Sequence, residues 1–308
     1  MLNIRLDQFI ALILFSILLV LFPPARSQAQ GSSLISKQPE LISPATVPIY
    51  RGGISGDSEI ASLSASAIYV MDRDSGAVLY QKNAHSVRYP ASTAKMMTAL
   101  VARQAYSLDQ VLTVGDAVFA TGTVVGFQFG EKLSVESLLK ALLIPSGNDA
   151  ALVLGQHHPY GYQGFITQMN QMANTFHLTS TIFNNVSGLD ADNERSSARD
   201  LAILANQLVK DPVLRDIVAT PQTQITDESG EITHFLKNTQ ELFGQVPGIV
   251  GIKTGTTNFA GENLITGVTR GQHRIIIVVL GSTDRFTETK QLINWVFTHY
   301  QWQSIGEN

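Results

Sequence analysis

The sequence predicts an α/β protein with a central antiparallel sheet of five strands flanked by helices, and an all-helical subdomain beside it. Three observations predict this fold. Two strand-like segments joined by turn residues come first, a long stretch with helical periodicity follows, and three strand-like segments with a last helix close the chain. Because strands from both ends must share a sheet to bury their apolar faces, we expect one sheet built from both ends of the chain.

Each element follows from the order of apolar and turn-forming residues. β-branched and apolar runs predict strands over 66–71 and 77–81, joined as a hairpin, and over 250–254, 263–269 and 274–280. Apolar residues three or four apart predict a helix that opens near 92 and ends near 105, and further helices over 133–143, 162–176, 197–209 and 288–300.

Residues 1–29 have the pattern of a secretory signal peptide. Arg5 precedes an apolar run from Phe9 to Phe22, and the small residues Ser27 and Ala29 precede the expected cleavage site. The run is shorter than the roughly 20 residues that span a bilayer as a helix. We therefore expect export to the periplasm or cell-wall space, with an uncleaved membrane tether over 2–22 as the alternative. Residues 30–59, rich in Ser, Gly and Pro, are interpreted as a flexible arm before a folded domain over 60–305.

Composition narrows the possible functions. The 308 residues are 44% hydrophobic and 15% charged, with a formal net charge of −4, which is ordinary for a globular protein. The charge is too weak and too mixed to indicate nucleic-acid binding. Cysteine is absent, which excludes disulfides, thiol catalysis and a lipoprotein anchor.

The first candidate catalytic pair is Ser92 and Lys95. Residues three apart on a helix share a face about 5–6 Å apart, so the hydroxyl and the amine can meet. A serine needs a neighbouring base, and a lysine is such a base when burial or a second cation lowers its pKa. The same spacing recurs at Ser137 and Lys140. Ser137, however, falls inside an amphipathic helix, whereas Ser92 lies at a helix entry after Pro90.

The second candidate is Ser146-Gly-Asn148, which lies in a predicted turn between two helices. A hydroxyl and a carboxamide two residues apart in a turn can face the same space, where they could relay a proton and bind a peptide amide. Ordinary helix capping is the alternative interpretation.

The third candidate is Lys253-Thr-Gly255, on a predicted strand that continues to Thr256. Glycine in a strand often marks a close approach by another backbone or a ligand. A strand with an open edge can also bind an extended peptide. An edge strand with a solvated lysine is the alternative.

In this order and spacing, the three motifs resemble those of the penicillin-recognising serine enzymes, and most closely the low-molecular-mass D-alanyl-D-alanine carboxypeptidases and endopeptidases. The segments that carry the resemblance are 90–100, 146–150, 184–200, 237–239, 251–256 and 260–261. It covers about 60–300 and implies a DD-peptidase/β-lactamase-like domain without cofactor or metal. It also implies peptidoglycan stem peptides ending in D-Ala-D-Ala as substrates, and β-lactams as covalent inhibitors.

The same resemblance implies a role for each motif residue. Ser92 would be the nucleophile, Lys95 the acceptor of its proton and Ser146 the relay to the leaving amine. The substrate amide, terminal carboxylate and oxyanion would be bound by five residues: Asn148, Lys253, Thr254, Gly255 and Thr256. The sequence departs from the family pattern at Gln240, where a second Asn is usual, and at Thr256, where many relatives carry a bulkier residue.

Several alternatives remain at this point. A murein endopeptidase of the same family, specific for D-Ala bonds, would use the same residues, and a catalytically weak β-lactam sensor would keep the fold. The short stretch after the closing helix favours the single-domain members, some of which are endopeptidases. A class A β-lactamase needs a glutamate shortly after the Ser-x-Asn motif, and no Glu occurs between Glu136 and Glu194. The histidines show no metal-ligand spacing such as His-Glu-x-x-His.

Overall fold

The computed structural model describes residues 46–52 and 58–304. The predicted signal peptide at 1–29 and the first part of the predicted arm lie outside these residues. No helix within the described ranges is long and apolar enough to cross a membrane.

The secondary structure alternates between both types along the chain. The strands are β1 (Thr46–Tyr50), β2 (Ala67–Asp72), β3 (Val78–Lys82), β4 (Val111–Thr113), β5 (Lys132–Ser134), β6 (Gln222–Thr226), β7 (Thr233–Lys237), β8 (Ile249–Thr257), β9 (Gly261–Arg270), β10 (His273–Ser282) and β11 (Tyr300–Ser304). The α-helices are α1 (Ser58–Ala61), α2 (Lys95–Ala105), α3 (Val135–Leu143), α4 (Asn148–Gln156), α5 (Gly161–Thr175), α6 (Ala198–Leu208), α7 (Pro212–Val218) and α8 (Arg285–His299).

The central sheet has five antiparallel strands in the order β3–β2–β10–β9–β8. The predicted α/β fold, with one sheet built from both ends of the chain, is therefore confirmed. β8 is an edge strand in this order, so one of its edges is open for a further chain.

The two faces of the sheet bury separate clusters of apolar side chains, as alternation along β10 illustrates. Ile275 and Ile277 belong to the cluster that includes Leu292 of α8, whereas Ile276 and Val278 belong to the larger cluster with the helices of the middle region. Successive side chains of a strand point to opposite faces, so a strand covered on both sides is apolar throughout. Each such fully buried isoleucine stabilises the fold by about 1.5–3 kcal/mol.

Side-chain caps define where several helices begin. Ser134 accepts a hydrogen bond from the Ser137 N–H at the start of α3, and Ser197 accepts one from the Asp200 N–H at the start of α6. Such caps satisfy backbone donors that the helix leaves unpaired, and each stabilises by about 1 kcal/mol. The predicted helix starts near 133 and 197 are close to these caps.

Three two-stranded sheets were not predicted from the sequence. Within the predicted arm, β1 pairs antiparallel with β11, and the predicted helical region contains the two-stranded ladders β4–β5 and β6–β7. β4 and β5 have three residues each, too few for strand periodicity to be recognised. The residues of β1 are mostly half-buried, so they do not alternate between buried and exposed positions. The sequence therefore gives no local signal for this strand.

Candidate active site

Ser92 lies in a single turn of 3-10 helix, Ala91–Ala94, that leads directly into α2. The Thr93 hydroxyl donates to the Pro90 carbonyl at 2.6 Å, and the Asn263 amide of β9 donates to the same carbonyl at 3.2 Å. Ala91 has a φ of 51°, a left-handed conformation that a non-glycine residue adopts only when its surroundings hold it there. The turn Ala91–Ala94, called the nucleophile turn below, is therefore held by a hydrogen bond from its own Thr93 and by one from the sheet.

Lys95 is fully buried, and its amine lies 2.9 Å from the Ser92 hydroxyl oxygen. The same amine donates to the Ser187 carbonyl at 2.9 Å. Burial, and then the positive charge of Lys253, hold the pKa of Lys95 well below its usual value, while Asp149 opposes the shift. A lysine with a lowered pKa is readily neutral, so its amine can accept the serine proton.

Ser146 lies in the turn between α3 and α4, and Asn148 is the first residue of α4. Ser146 has a φ of 71°, and its buried hydroxyl has no hydrogen-bond partner among the described residues. The Asn148 amide nitrogen donates to the Thr121 carbonyl at 2.5 Å, while its buried oxygen also has no partner within 46–52 and 58–304. The cap position of α4 is occupied by Gly147, which has no side chain to accept a hydrogen bond. Helix capping therefore does not account for Ser146 or Asn148, and both keep capacity for a ligand.

β8 brings Lys253, Thr254 and Gly255 beside the turn that carries Ser92, where the strand forms one wall of the candidate site. The Lys253 side chain is buried, with its amine 3.1 Å from the Thr254 carbonyl. Burial, followed by the charge of Arg285, lowers the pKa of Lys253 to about 7. A Cβ atom on Gly255 would lie 2.9 Å from the Ser92 nitrogen, so the strand backbone passes directly beside the nucleophile. The predicted close approach at Gly255 is confirmed.

Two residues of this wall were missed by sequence reasoning. Arg285, at the start of α8, donates to the Gly255 carbonyl at 3.1 Å and to the Thr256 hydroxyl at 2.6 Å. The Thr239 hydroxyl lies 2.6 Å from the Thr254 hydroxyl. Thr239 lies in the family-like segment 237–239, which could have drawn attention to it. Arg285 carries no local motif.

The second Ser-x-x-Lys pair has a structural role in α3. The Ser137 hydroxyl lies 3.1 Å from the Ser134 hydroxyl, and the Lys140 amine pairs with the Glu136 carboxylate at 2.6 Å. The amine is thus paired with the residue that precedes Ser137, so the choice of Ser92 over Ser137 agrees with the geometry.

Gln240, a departure from the family pattern, is accommodated inside the fold. Its side-chain amide donates to the Gly251 carbonyl at 3.2 Å and to the Thr266 hydroxyl at 3.0 Å. The longer side chain therefore ties the segment after β7 to β8 and β9. Among the residues that the structure describes, no group of three or more His, Asp or Glu side chains is placed to hold a metal ion.

The described residues supply four elements of acyl-transfer chemistry. A half-buried serine hydroxyl faces a buried amine, the Ser146 hydroxyl and the Asn148 oxygen are buried and without a partner among the described residues, and β8 supplies a lysine and threonine hydroxyls beside the serine. Such a set can attack a carbonyl, bind its flanking peptide and protonate a leaving group.

Comparisons with known proteins agree with this chemistry. D-alanyl-D-alanine carboxypeptidase DacC of Escherichia coli is 36% identical over 263 residues, covering 79% of this chain and 64% of DacC. D-alanyl-D-alanine carboxypeptidase DacB2 of Mycobacterium tuberculosis is 32% identical over 260 residues, covering 82% of this chain and 88% of DacB2. The crystal structure of the Streptomyces K15 DD-transpeptidase matches with a TM-score of 0.73 at 30% identity, over 77% of this chain and 98% of that one.

The chain spans less than two thirds of the length of some relatives, since it covers 64% of both DacC and the Bacillus subtilis carboxypeptidase DacF. The model of the peptidase S11 family, described as D-alanyl-D-alanine carboxypeptidase, matches residues 55–284. That range includes all three motifs and all five strands of the central sheet, and it ends directly before α8. The chain therefore belongs to the D-alanyl-D-alanine carboxypeptidase family, peptidase S11, as its motifs predicted.

Proposed function

We propose that the protein is a serine-type D-alanyl-D-alanine carboxypeptidase that acts on peptidoglycan stem peptides through an acyl-enzyme on Ser92. The observation that carries the proposal is the 2.9 Å contact between the fully buried Lys95 amine and the Ser92 hydroxyl. A hydroxyl paired with a desolvated amine is an activated nucleophile. The family match supports a peptide that ends in D-Ala-D-Ala as the substrate.

Acylation begins when the Ser92 oxygen attacks the carbonyl between the two terminal D-alanines and its proton passes to the Lys95 amine. The oxygen of the tetrahedral intermediate becomes negative and accepts hydrogen bonds from the backbone N–H groups of Ser92 and Thr256. One such donor contributes roughly 3–4 kcal/mol to transition-state stabilisation. The C–N bond then breaks, and the proton reaches the leaving amine through Ser146, which releases the terminal D-alanine.

Substrate binding uses both walls of the cleft. The free oxygen of Asn148 accepts a hydrogen bond from a substrate amide N–H, and its position is held by the contact with Thr121. Lys253 and the Thr254 hydroxyl bind the terminal carboxylate. A charge-assisted hydrogen bond of this kind is stronger than one between neutral groups.

Deacylation returns the enzyme to its starting state. Water attacks the ester carbonyl, the Ser92 oxygen leaves with a proton, and the product is a stem peptide shortened by one D-alanine. An amine in place of water would give transpeptidation, the activity named for the Streptomyces K15 enzyme. A murein endopeptidase would differ in the leaving group, and a weak β-lactam sensor in the rate of the second step.

We also infer an extracytoplasmic location from the sequence pattern of residues 1–29. Peptidoglycan stem peptides are then accessible to the enzyme. Membrane association through an uncleaved N-terminal segment belongs to the same proposal. A β-lactam presents an amide carbonyl beside a carboxylate, so it would acylate Ser92 and be released slowly.

The test is acylation by a fluorescent penicillin, followed by turnover of a pentapeptide that ends in D-Ala-D-Ala. We expect labelling of the wild type and of Ser137→Ala, a matched control in the second Ser-x-x-Lys pair, but none of Ser92→Ala. Release of D-alanine from the pentapeptide indicates a carboxypeptidase, and cleavage of cross-linked dimers alone indicates an endopeptidase. Equal labelling of Ser92→Ala would contradict the proposal.

A further inference from the structure

A buried carboxyl group next to the active site has no part in the chemistry described above. Glu194 has an exposed fraction of 2%. Of the buried carboxyl groups in the described part of the chain, it alone has an oxygen, Oε1, without a hydrogen-bond partner. Its other oxygen, Oε2, accepts a hydrogen bond from the Asn184 backbone N–H at 2.6 Å and lies 3.3 Å from the Asn185 side-chain nitrogen.

Asn185 organises the turn that follows it. Its side-chain oxygen lies 3.0 Å from the Ser187 nitrogen, 3.0 Å from the Ser187 hydroxyl, 2.7 Å from the Gly188 nitrogen and 3.1 Å from the Leu189 nitrogen. All four groups donate to it. The nitrogen of the same carboxamide donates to the Leu189 carbonyl at 2.8 Å and to Glu194, so Glu194 is one of two acceptors that orient this end of the Asn185 side chain.

That turn supplies a direct contact to the candidate general base. The Ser187 carbonyl accepts a hydrogen bond from the Lys95 amine at 2.9 Å. Gly188 packs against the nucleophile turn so closely that a Cβ atom would lie 1.9 Å from the Ala91 carbonyl oxygen. A displacement of the turn therefore moves both the partner of Lys95 and the backbone beside Ser92.

The same stretch of chain also contacts the end of β8. The Asp190 carboxylate accepts hydrogen bonds from the Thr257 hydroxyl at 2.6 Å and from the Phe259 N–H at 3.3 Å. Residues 184–194, which we call the 184–194 loop, thus connect Glu194 with the helix that carries Lys95 and with the end of β8.

We propose that Glu194, in its neutral form, is a positioning residue for Lys95, acting through Asn185 and the Ser187 carbonyl. The inference rests on the proposed function, because it assigns the residue to acylation of Ser92. A neutral carboxyl fits the contacts: Oε2 remains the acceptor for Asn184 and Asn185, and the proton lies on Oε1. Ionisation would leave a buried charge without a donor on Oε1, and the 184–194 loop would have to rearrange to solvate it.

Burial and one neighbouring charge favour the neutral form of Glu194. Burial raises the pKa of Glu194 to about 7, with a further contribution from Asp190, while hydrogen bonds from Asn184 and Asn185 lower it. Tyr162 of α5 is the titratable neighbour from the packed helix, and burial raises its pKa, with Glu194 contributing. Tyr162 is thus neutral across the range in which Glu194 changes its charge.

The experiment compares acylation of Ser92 by fluorescent penicillin in the full-length wild type and Glu194→Gln between about pH 5.5 and 8.5. The glutamine has the shape of the neutral acid and does not ionise. The ratio of the two rate constants cancels the titration of Lys95 and Lys253. About 1.5 pH units above a pKa of about 7, the ionised form exceeds the neutral form by roughly thirtyfold. We expect the ratio of Glu194→Gln to wild type to begin to rise near pH 7 and to increase by about fivefold to thirtyfold by pH 8.5.

Glu131→Gln is the matched control. Glu131 is also a buried carboxyl, with an exposed fraction of 4%, and it accepts a hydrogen bond from the Gln128 N–H and contacts His234. It has no contact with the 184–194 loop, so the ratio of Glu131→Gln to wild type should be independent of pH. A ratio for Glu194→Gln that is equally flat would overturn the assignment of Glu194, while labelling itself would still support Ser92 as nucleophile. Absence of labelling in every protein would overturn both proposals.

The route through Asn185 has its own test. In an Asn185→Ala background the carboxamide is absent, so the ratio between the proteins with and without Glu194→Gln should lose its dependence on pH. Non-additivity of this kind identifies residues that act through one another. A ratio that still rises near pH 7 in that background would show that the charge reaches Lys95 by another path and would overturn the proposed route.

Discussion

The α-carbon of Gly255 lies so close to the nucleophile turn that a Cβ atom on it would approach the Ser92 nitrogen to 2.9 Å and the Ala91 Cβ to 3.0 Å. Both contacts are with the rigid start of a helix that carries the catalytic pair. A side chain at position 255 would therefore displace β8 or Ser92, and these two elements form the cleft.

Gly255→Ala should reduce the rate constant for acylation by about a hundredfold, since a misplacement of about 1 Å has an effect of that size. The measurement is the second-order rate constant with fluorescent penicillin. Gly267→Ala is the matched control on the neighbouring strand, where a Cβ atom would meet its nearest neighbour at an ordinary 3.5 Å. Equal rate constants for the two variants would contradict the role of the close approach.

Thr239→Val should raise the KM for a D-Ala-D-Ala peptide by roughly fivefold with little change in kcat, which corresponds to the loss of about 1 kcal/mol of hydrogen bonding. The reason is the 2.6 Å contact between the Thr239 and Thr254 hydroxyls, which orients the hydroxyl assigned to the substrate carboxylate. Thr239→Ser keeps the hydroxyl and should restore the KM. An unchanged KM in Thr239→Val would show that Thr254 needs no such partner.

The charge of Lys253 should make recognition of a free carboxylate dependent on pH. Its pKa of about 7 means that the side chain is cationic below pH 7 and neutral above it. The ratio of kcat/KM for a peptide acid to that for the matching C-terminal amide should therefore fall as the pH rises through 7. Both substrates need neutral Lys95, so its titration cancels. A ratio that is constant with pH would show that the charge of Lys253 does not contribute to binding of the carboxylate.

Glu194 should make the protein less stable as the pH rises from about 4.5 to 7. Its pKa is about 7 in the folded state, whereas the ordinary value for glutamate, which applies to the unfolded state, is 4.5. The native state therefore binds more protons than the unfolded state between these two pH values. Stability falls with pH under that condition. The difference of about 2.5 pKa units corresponds to a loss of at most about 3 kcal/mol.

Urea denaturation of the wild type and Glu194→Gln at several pH values measures this effect. The variant lacks the titrating group, so its stability relative to the wild type should increase between pH 4.5 and 7 and then stay constant. A difference in unfolding free energy that does not change with pH would show that folding leaves the pKa of Glu194 unchanged.

The three motifs that identify the family could be recognised from residue order because each motif is local. Ser92 and Lys95 are one helical turn apart, Ser146 and Asn148 share a turn, and the close approach at Gly255 agrees with the properties of glycine in a strand. The long strands and helices were also predicted, since their apolar periodicity extends over many residues. β4 and β5 were missed because three residues hold no such period.

The environment that gives these residues their reactivity was decided by tertiary contacts. The Ser187 carbonyl is 92 positions from Lys95, and Arg285 is 30 positions from the Gly255 carbonyl that it contacts. Glu194 gives no signal in the sequence, because a buried and a solvated glutamate look alike in one dimension. Burial and charge proximity set the pKa values of Lys95, Lys253 and Glu194, and both depend on which distant segments the fold packs together.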